Sequence, residues 1–281
     1  MCVRAFFLSG SLLVGTAHAQ DWYLSWGYNR SSYQPSDVHI WGQGPAGDFD
    51  VTFEGAEATD MPERFQAKVY LNPTRFTIPQ FDVRVARRLG DRTWLSIGWD
   101  HMKYKLSDQW LVASGSVAAG DLAQTASTLT LPDPASTEVS LDEALVWWGK
   151  GFNYEHSDGL NFVRLGLEQT ARLVETARFP GSWIDAFATV SAGLAVCSTD
   201  FTWAGDRTKN QQHVSGYGAS ALLGLRFHAG PRLFLQVTAQ SGGIRLPWVR
   251  LQGPDIEAGA DQTIGFSERA FALGYRFGRS G

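Results

Sequence analysis

Beyond residue 20 the chain alternates apolar and polar positions with a period of two, the pattern of strands that bury one face. Trp22, Leu24 and Trp26 alternate with Tyr23, Ser25 and Gly27. Phe81, Val83 and Val85 alternate with Asp82, Arg84 and Ala86; Leu95, Ile97 and Trp99 with Ser96, Gly98 and Asp100; Val163, Leu165 and Leu167 with Arg164, Gly166 and Glu168. The same rhythm recurs at 190–196, 233–240 and 270–277. It predicts strands near 21–30, 48–54, 65–71, 79–88, 93–105, 149–156, 160–169, 184–197, 213–227, 231–242 and 263–277. A single-chain barrel closed in a membrane needs an even number. One further strand is expected in 120–147, from Ser127–Leu131 or Val139–Val146, which makes about twelve, with ten as the alternative.

Alternation alone also fits a soluble periplasmic barrel with its apolar side turned inward. Three features favour lipid outside. Trp22, Tyr28, Trp94, Trp99, Trp147, Trp148 and Trp183 stand at segment ends, as interfacial girdles do. Gly90-Asp91 and Gly230-Pro231 read as tight turns, whereas 106–146 and 243–262 read as long external connections. The third is the patterned final strand, with Phe271, Leu273, Tyr275 and Phe277 on one face; composition (44% hydrophobic, 13% aromatic, 19% charged) fits a lipid-facing barrel and an aromatic-rich soluble β-sandwich equally. Residues 1–19 have the form of an export leader, with Arg4, a short apolar core and Ala17-His18-Ala19 before Gln20. The expected organisation is thus a signal peptide (1–19) and one all-β domain (20–281), an antiparallel transmembrane β-barrel of the outer membrane with long extracellular loops.

The net charge of −4 and the absence of a basic run argue against nucleic acid as a partner. Cys2 lies in the leader, so the mature chain keeps Cys197 alone and forms no internal disulfide; it is read as a small buried residue. The final strand, with Phe271, Leu273, Tyr275 and Phe277 on one face, resembles the C-terminal strand through which outer-membrane barrels are recognised by the assembly machinery. A four-residue tail, Gly278–Gly281, departs from that pattern.

Several blocks carry a broader resemblance: Trp26-Gly27-Tyr28-Asn29-Arg30, Tyr70-Leu71-Asn72-Pro73, Thr77-Ile78-Pro79-Gln80-Phe81, Asp100-His101-Met102-Lys103-Tyr104, Glu155-His156-Ser157-Asp158-Gly159-Leu160-Asn161 and His213-Val214-Ser215-Gly216-Tyr217-Gly218. Over nearly the whole mature chain they resemble a family of uncharacterised bacterial outer-membrane β-barrel proteins of similar length. The resemblance implies a barrel and leaves the activity open.

With the N-terminus placed in the periplasm, Glu155–Asn161 is read as an outer hairpin. Asn29, Asp100, His101, Glu155, His156, Asp158 and His213 then fall near the extracellular mouth. Imidazoles beside carboxylates suit general-base work on a lipid or lipopolysaccharide, and carboxylates with Asn oxygens suit a calcium ion. Polar rims carry the same residues with no activity. No Gly-x-Ser-x-Gly elbow, His-Glu-x-x-His, Walker loop or Cys-x-x-Cys is present, and no cofactor is expected. Arg84, Arg164, Glu168, Arg226, Glu268 and Arg276 fall on the lumen face, where an ion-pair network is expected. The expected partners are outer-membrane lipids and lipopolysaccharide. Three readings stay open: a non-enzymatic outer-membrane barrel (narrow pore, structural or surface-interaction role), an outer-membrane enzyme acting on lipopolysaccharide or phospholipid with a His/Asp site at the mouth, and a soluble periplasmic β-barrel binder.

Overall fold

The structure, a computed structural model, describes residues 21–61, 79–118, 138–149, 151–175 and 181–278; the leader and the predicted strand at 65–71 lie outside them. Fifteen antiparallel segments form one sheet. They are β1 (Trp22–Tyr33), β2 (Ser36–Gln43), β3 (Asp48–Ala56), β4 (Ala58–Thr59), β5 (Phe81–Arg88), β6 (Thr93–Leu106), β7 (Gln109–Ala118) and β8 (Glu138–Trp148). Then follow β9 (Asn153–Glu175), β10 (Trp183–Cys197), β11 (Asp200–Trp203), β12 (Asp206–Lys209), β13 (His213–Ala229), β14 (Leu233–Gln252) and β15 (Glu257–Phe277).

Twelve segments lie on one continuous hydrogen-bonded path, and eight of these close on themselves in the order β1-β5-β6-β9-β10-β13-β14-β15-β1. The remainder continue the ring strands upward. β2 prolongs β1 past Gln34-Pro35, since both pair antiparallel with β15, and the Gln34 amide bridges the break by donating to the Gly265 carbonyl. β7 prolongs β6, β8 precedes β9, β11 prolongs β10, and β12 precedes β13. Within the described residues, the long extracellular connections are thus built largely of paired strands. The tight turns at 89–92 and 230–232 lie at the opposite, periplasmic end.

A change of chemistry along each strand marks the membrane. On β15 the outward residues Phe271, Leu273, Tyr275 and Phe277 are all exposed and apolar, and the next outward positions are Arg269 and Ser267. On β14 the inward residues are Gln236, Thr238 and Gln240, then Ile244 and Leu246. Along these stretches the facing is kept while the polarity inverts; beyond Leu246 a register shift moves the inward positions of β14 to Val249 and Leu251. In the spanning part apolar residues meet lipid and polar ones fill the lumen. Above it the apolar residues turn onto an interior core that includes Val38, Phe53, Leu111, Trp148, Trp203 and Leu251. Outside water drives burial there, where lipid gives no such drive. The apolar face turned outward excludes the soluble barrel.

Some expectations are corrected by position. Trp94 and Trp148 are buried inside the barrel and belong to no girdle. Phe81, expected to meet lipid, is fully buried and stacks on His101 with centroids 4.9 Å apart. No hairpin forms at Glu155–Asn161, because β9 runs through it; the pairing with β6 shifts register between Met102 and Tyr104, and Gly159 at φ +133° sits in the resulting bulge. The ring also needs two glycines for close packing. A Cβ on Gly274 would lie 2.0 Å from the Phe234 ring, and one on Gly224 2.4 Å from that of Phe187, so both aromatic rings lie flat over bare backbone.

Candidate functional site

The seven candidate residues lie in five separate environments. Asn29 and Asp100 face the lumen and are buried. Asn29 Nδ2 donates to Glu268 Oε2 at 2.7 Å. Asp100 receives Arg164 Nε and Nη2, each at 2.7 Å, and Gln240 Nε2 at 3.0 Å. Arg164 also reaches Asp82 at 3.2 Å, and Arg84 lies 3.4 Å from the same carboxylate. Carboxylate oxygens of Asp82, Asp100 and Glu268 lie within 4.8 Å of one another. That donor set suits a hard cation, but two guanidiniums already stand among the carboxylates, which makes it an ion-pair network.

His101 is on the opposite face of β6, being next to Asp100 in a strand. Its Nδ1 lies 2.8 Å from Asn161 Oδ1, which also accepts from Trp99 Nε1 at 2.8 Å. Glu155 and Asp158 lie on the flank of the upper strands, Glu155 3.6 Å from Lys105 and Asp158 paired with Lys209. His213 is at the surface, where Nε2 accepts from the Arg250 amide at 3.1 Å. His156 is sealed in the extracellular core between Tyr104 and Tyr154, with Nδ1 3.1 Å from Thr199 Oγ1. Desolvation pushes its pKa down to about 3, so the ring is neutral and out of contact with solvent. No imidazole–carboxylate pair among the seven shares a solvent-facing surface.

Below the Asp100 network a second buried group closes the lumen. Arg226 lies 3.1 Å from Glu168, which also accepts the Tyr23 hydroxyl at 2.6 Å. The guanidinium lies over the rings of Tyr23, Phe187 and Phe234 at 4.4, 4.3 and 4.8 Å. Sequence reasoning placed the arginines here by their facing; Asp82, Gln240 and Tyr23 went unsingled although they share that facing. An eight-stranded ring is just wide enough for side chains to fill.

A closed antiparallel ring, apolar toward lipid and polar within, spans a membrane with no strand edge left open. The chain is an integral outer-membrane β-barrel. No protein-family model and no curated protein matches it. Solved structures overlap with it weakly. The attachment invasion locus protein Ail of Yersinia pestis is 9% identical with a TM-score of 0.35, covering 92% of this chain and 100% of Ail. Neisserial surface protein A is 6% identical, with a TM-score of 0.31 and coverage of 91% and 95%. The outer-membrane protein AlkL, solved in lipid bilayers, is 10% identical, with a TM-score of 0.37 and coverage of 99% of each chain. At overlaps this low the assignment stands on the ring's own geometry.

Cys197 lies fully buried in the extracellular core, where desolvation pushes its thiol up to about 12. Thiolate is the reactive form. A maleimide is therefore expected to leave the folded barrel unlabelled and to label the unfolded chain stoichiometrically, which mass spectrometry reads directly.

The extracellular surface carries one broad groove of about 1000 Å³. Trp41 lies across Gly259, whose Cβ would come within 3.0 Å of the indole, and Trp248 stands 59% exposed where the β14–β15 register shifts. Asp48, Asp50, Arg250 and Glu257 line the same groove.

Proposed function

We propose that the protein is a closed, non-conducting barrel that acts through its extracellular surface, with lipopolysaccharide as its neighbour in the outer leaflet. The observation that carries this reading is a lumen filled at two levels. Ion-paired side chains occupy the spanning part, and an apolar core that includes Phe162, Tyr104 and Phe266 occupies the extracellular part. A water path through the spanning part would have to separate the Arg226–Glu168 and Arg164–Asp100 pairs, and above them it would have to cross dry side chains. Between the strands, the same core gives the extracellular extension the rigidity of a platform, and the Trp41–Trp248 groove is its most concave exposed feature. The alternating aromatics of β15 support recognition by the assembly machinery. Mouth hydrolysis finds no support in where the seven candidate residues lie.

Planar-bilayer recording on the folded protein tests this reading. Reconstitution is expected to give no unitary conductance steps in molar potassium chloride, while a porin control in the same bilayers conducts. Stable, reproducible steps from the purified barrel would overturn the closed-lumen reading.

A further inference from the structure

The periplasmic end of the lumen holds a cavity of about 370 Å³ that none of the foregoing uses. Five arginines line it (Arg88, Arg92, Arg172, Arg226 and Arg276) together with His228, against two carboxylates, Asp91 and Asp185. These arginines come from β5, the first periplasmic turn and the lower ends of β9, β13 and β15, so ring closure itself brings them together.

The carboxylates around them match the arginines in number but are spread unevenly over them. Glu168 takes up Arg226, deep in the lumen. Asp21 is shared between Arg88 at 3.3 Å and Arg276 at 3.1 Å, and so compensates one of the two. Arg172 gives one nitrogen to Glu175 at 2.7 Å and lies 3.5 Å from Asp185. Arg92 has no ion-pair partner among the described residues. Two guanidiniums lie over rings, Arg276 5.4 Å from the Trp94 centroid and Arg172 4.6 Å from that of Trp183, so that their carboxylate partners occupy only part of each N–H edge. His228 supplies a second, independent sign. It is 4% exposed and stacks on Trp183 at 4.2 Å. Its Nε2 lies 3.0 Å from Asp185 without hydrogen-bond geometry, so that neither ring nitrogen has a hydrogen-bond partner among the described residues. A buried ring nitrogen at the wall of a polar cavity is a group waiting for a partner.

We propose that this cavity is a binding site for a phosphate group, held by the edges of Arg92, Arg172 and Arg276 with His228 as an additional hydrogen-bonding group. Forked guanidiniums match phosphate oxygens in pairs. The cavity is larger than a bare phosphate, so it also admits a phosphate bearing a small organic group. Trp22 and Phe277, register partners facing outward, end the apolar belt at this level, which is where inner-leaflet headgroups lie. Two sources therefore offer the same chemistry, free phosphate in the periplasm and a phospholipid headgroup. The proposal is independent of what the extracellular face does.

The test is calorimetric titration of the full folded barrel in non-ionic detergent, first with sodium phosphate and then with short-chain dihexanoyl phosphatidic acid, each against sodium chloride at equal ionic strength. Saturable binding of inorganic phosphate identifies the free ion. Binding of the short-chain lipid alone identifies the headgroup. Either supports the site, provided that Arg92→Gln with Arg172→Gln weakens binding at least tenfold and Arg269→Gln, outside the cavity, leaves it unchanged. If the double variant does not give the compact, heat-shifted gel band of a folded barrel, Arg172→Lys replaces it. That change keeps the charge, loses the fork and is expected to weaken binding at least threefold. No binding in either titration beyond the chloride control, or equal binding by the folded variants, overturns the proposal.

Discussion

Replacing Arg164 with Met is expected to be among the most damaging single changes in the barrel, costing about 3–5 kcal/mol. The residue has 2% of its surface exposed and holds both oxygens of Asp100, while Asp82 lies 3.2 Å away. Without it, Asp82, Asp100 and Glu268 crowd within 4.8 Å of one another with Arg84 as the nearest cation. The damage comes from the charge left behind, more than from the loss of an attraction. Arg164→Met combined with Asp100→Asn should therefore cost less than Arg164→Met alone. A double-mutant cycle on urea unfolding in detergent, followed by tryptophan fluorescence and the heat-shifted gel band, measures this. Additive losses would show that the two groups do not act on each other and would remove the network from the account of the lumen.

The lumen was legible before the structure because lipid imposes one rule on every spanning strand: the outward residues are apolar, and whatever is polar faces in. Arg84, Arg164, Glu168 and Arg226 follow from that rule alone. The strand count was harder to read. Above the membrane the same strands continue with their polarity inverted, so Val38, Ile40 and Phe53 look like the start of new elements when they extend old ones. Pro35 interrupts β1 from β2 without ending the run, since Gln34 keeps its bond to β15. Ser157-Asp158-Gly159 has the composition of a turn, and the strand absorbs it as a bulge. The candidate residues are dispersed for a reason that strand facing already contained: Asp100 and His101 are adjacent in a regular stretch of strand and point to opposite faces. Of the periplasmic arginines, Arg226 and Arg276 follow from their facing, whereas Arg88, Arg92 and Arg172 do not, because they sit at strand ends and in a turn and meet the others only when the ring closes.

Acid is expected to weaken the extracellular core through His156. The folded barrel holds this ring neutral with a pKa of about 3, while the unfolded chain takes up a proton near 6.5. Between those values the unfolded state binds more protons, so stability rises with pH there. The contribution is complete above about pH 6.5 and is lost as the pH falls toward 3, at about 1.4 kcal/mol per unit crossed. Tyr104 and Tyr154, whose rings flank the imidazole, are neutral throughout that window; His213 is the other group that acts on it, and its positive form adds to the penalty. His156→Gln can keep a hydrogen bond to Thr199 but cannot titrate. Its urea midpoint between pH 7 and pH 4 should fall by less than that of the parent, by an amount equivalent to a few kcal/mol. Parallel pH profiles for parent and variant would mean that protons reach His156 in the folded state, and the extracellular core would then be wet. A dry core predicts that the profiles separate first near pH 6.5 and diverge steadily below it, because each further unit of acid is felt by the unfolded chain alone.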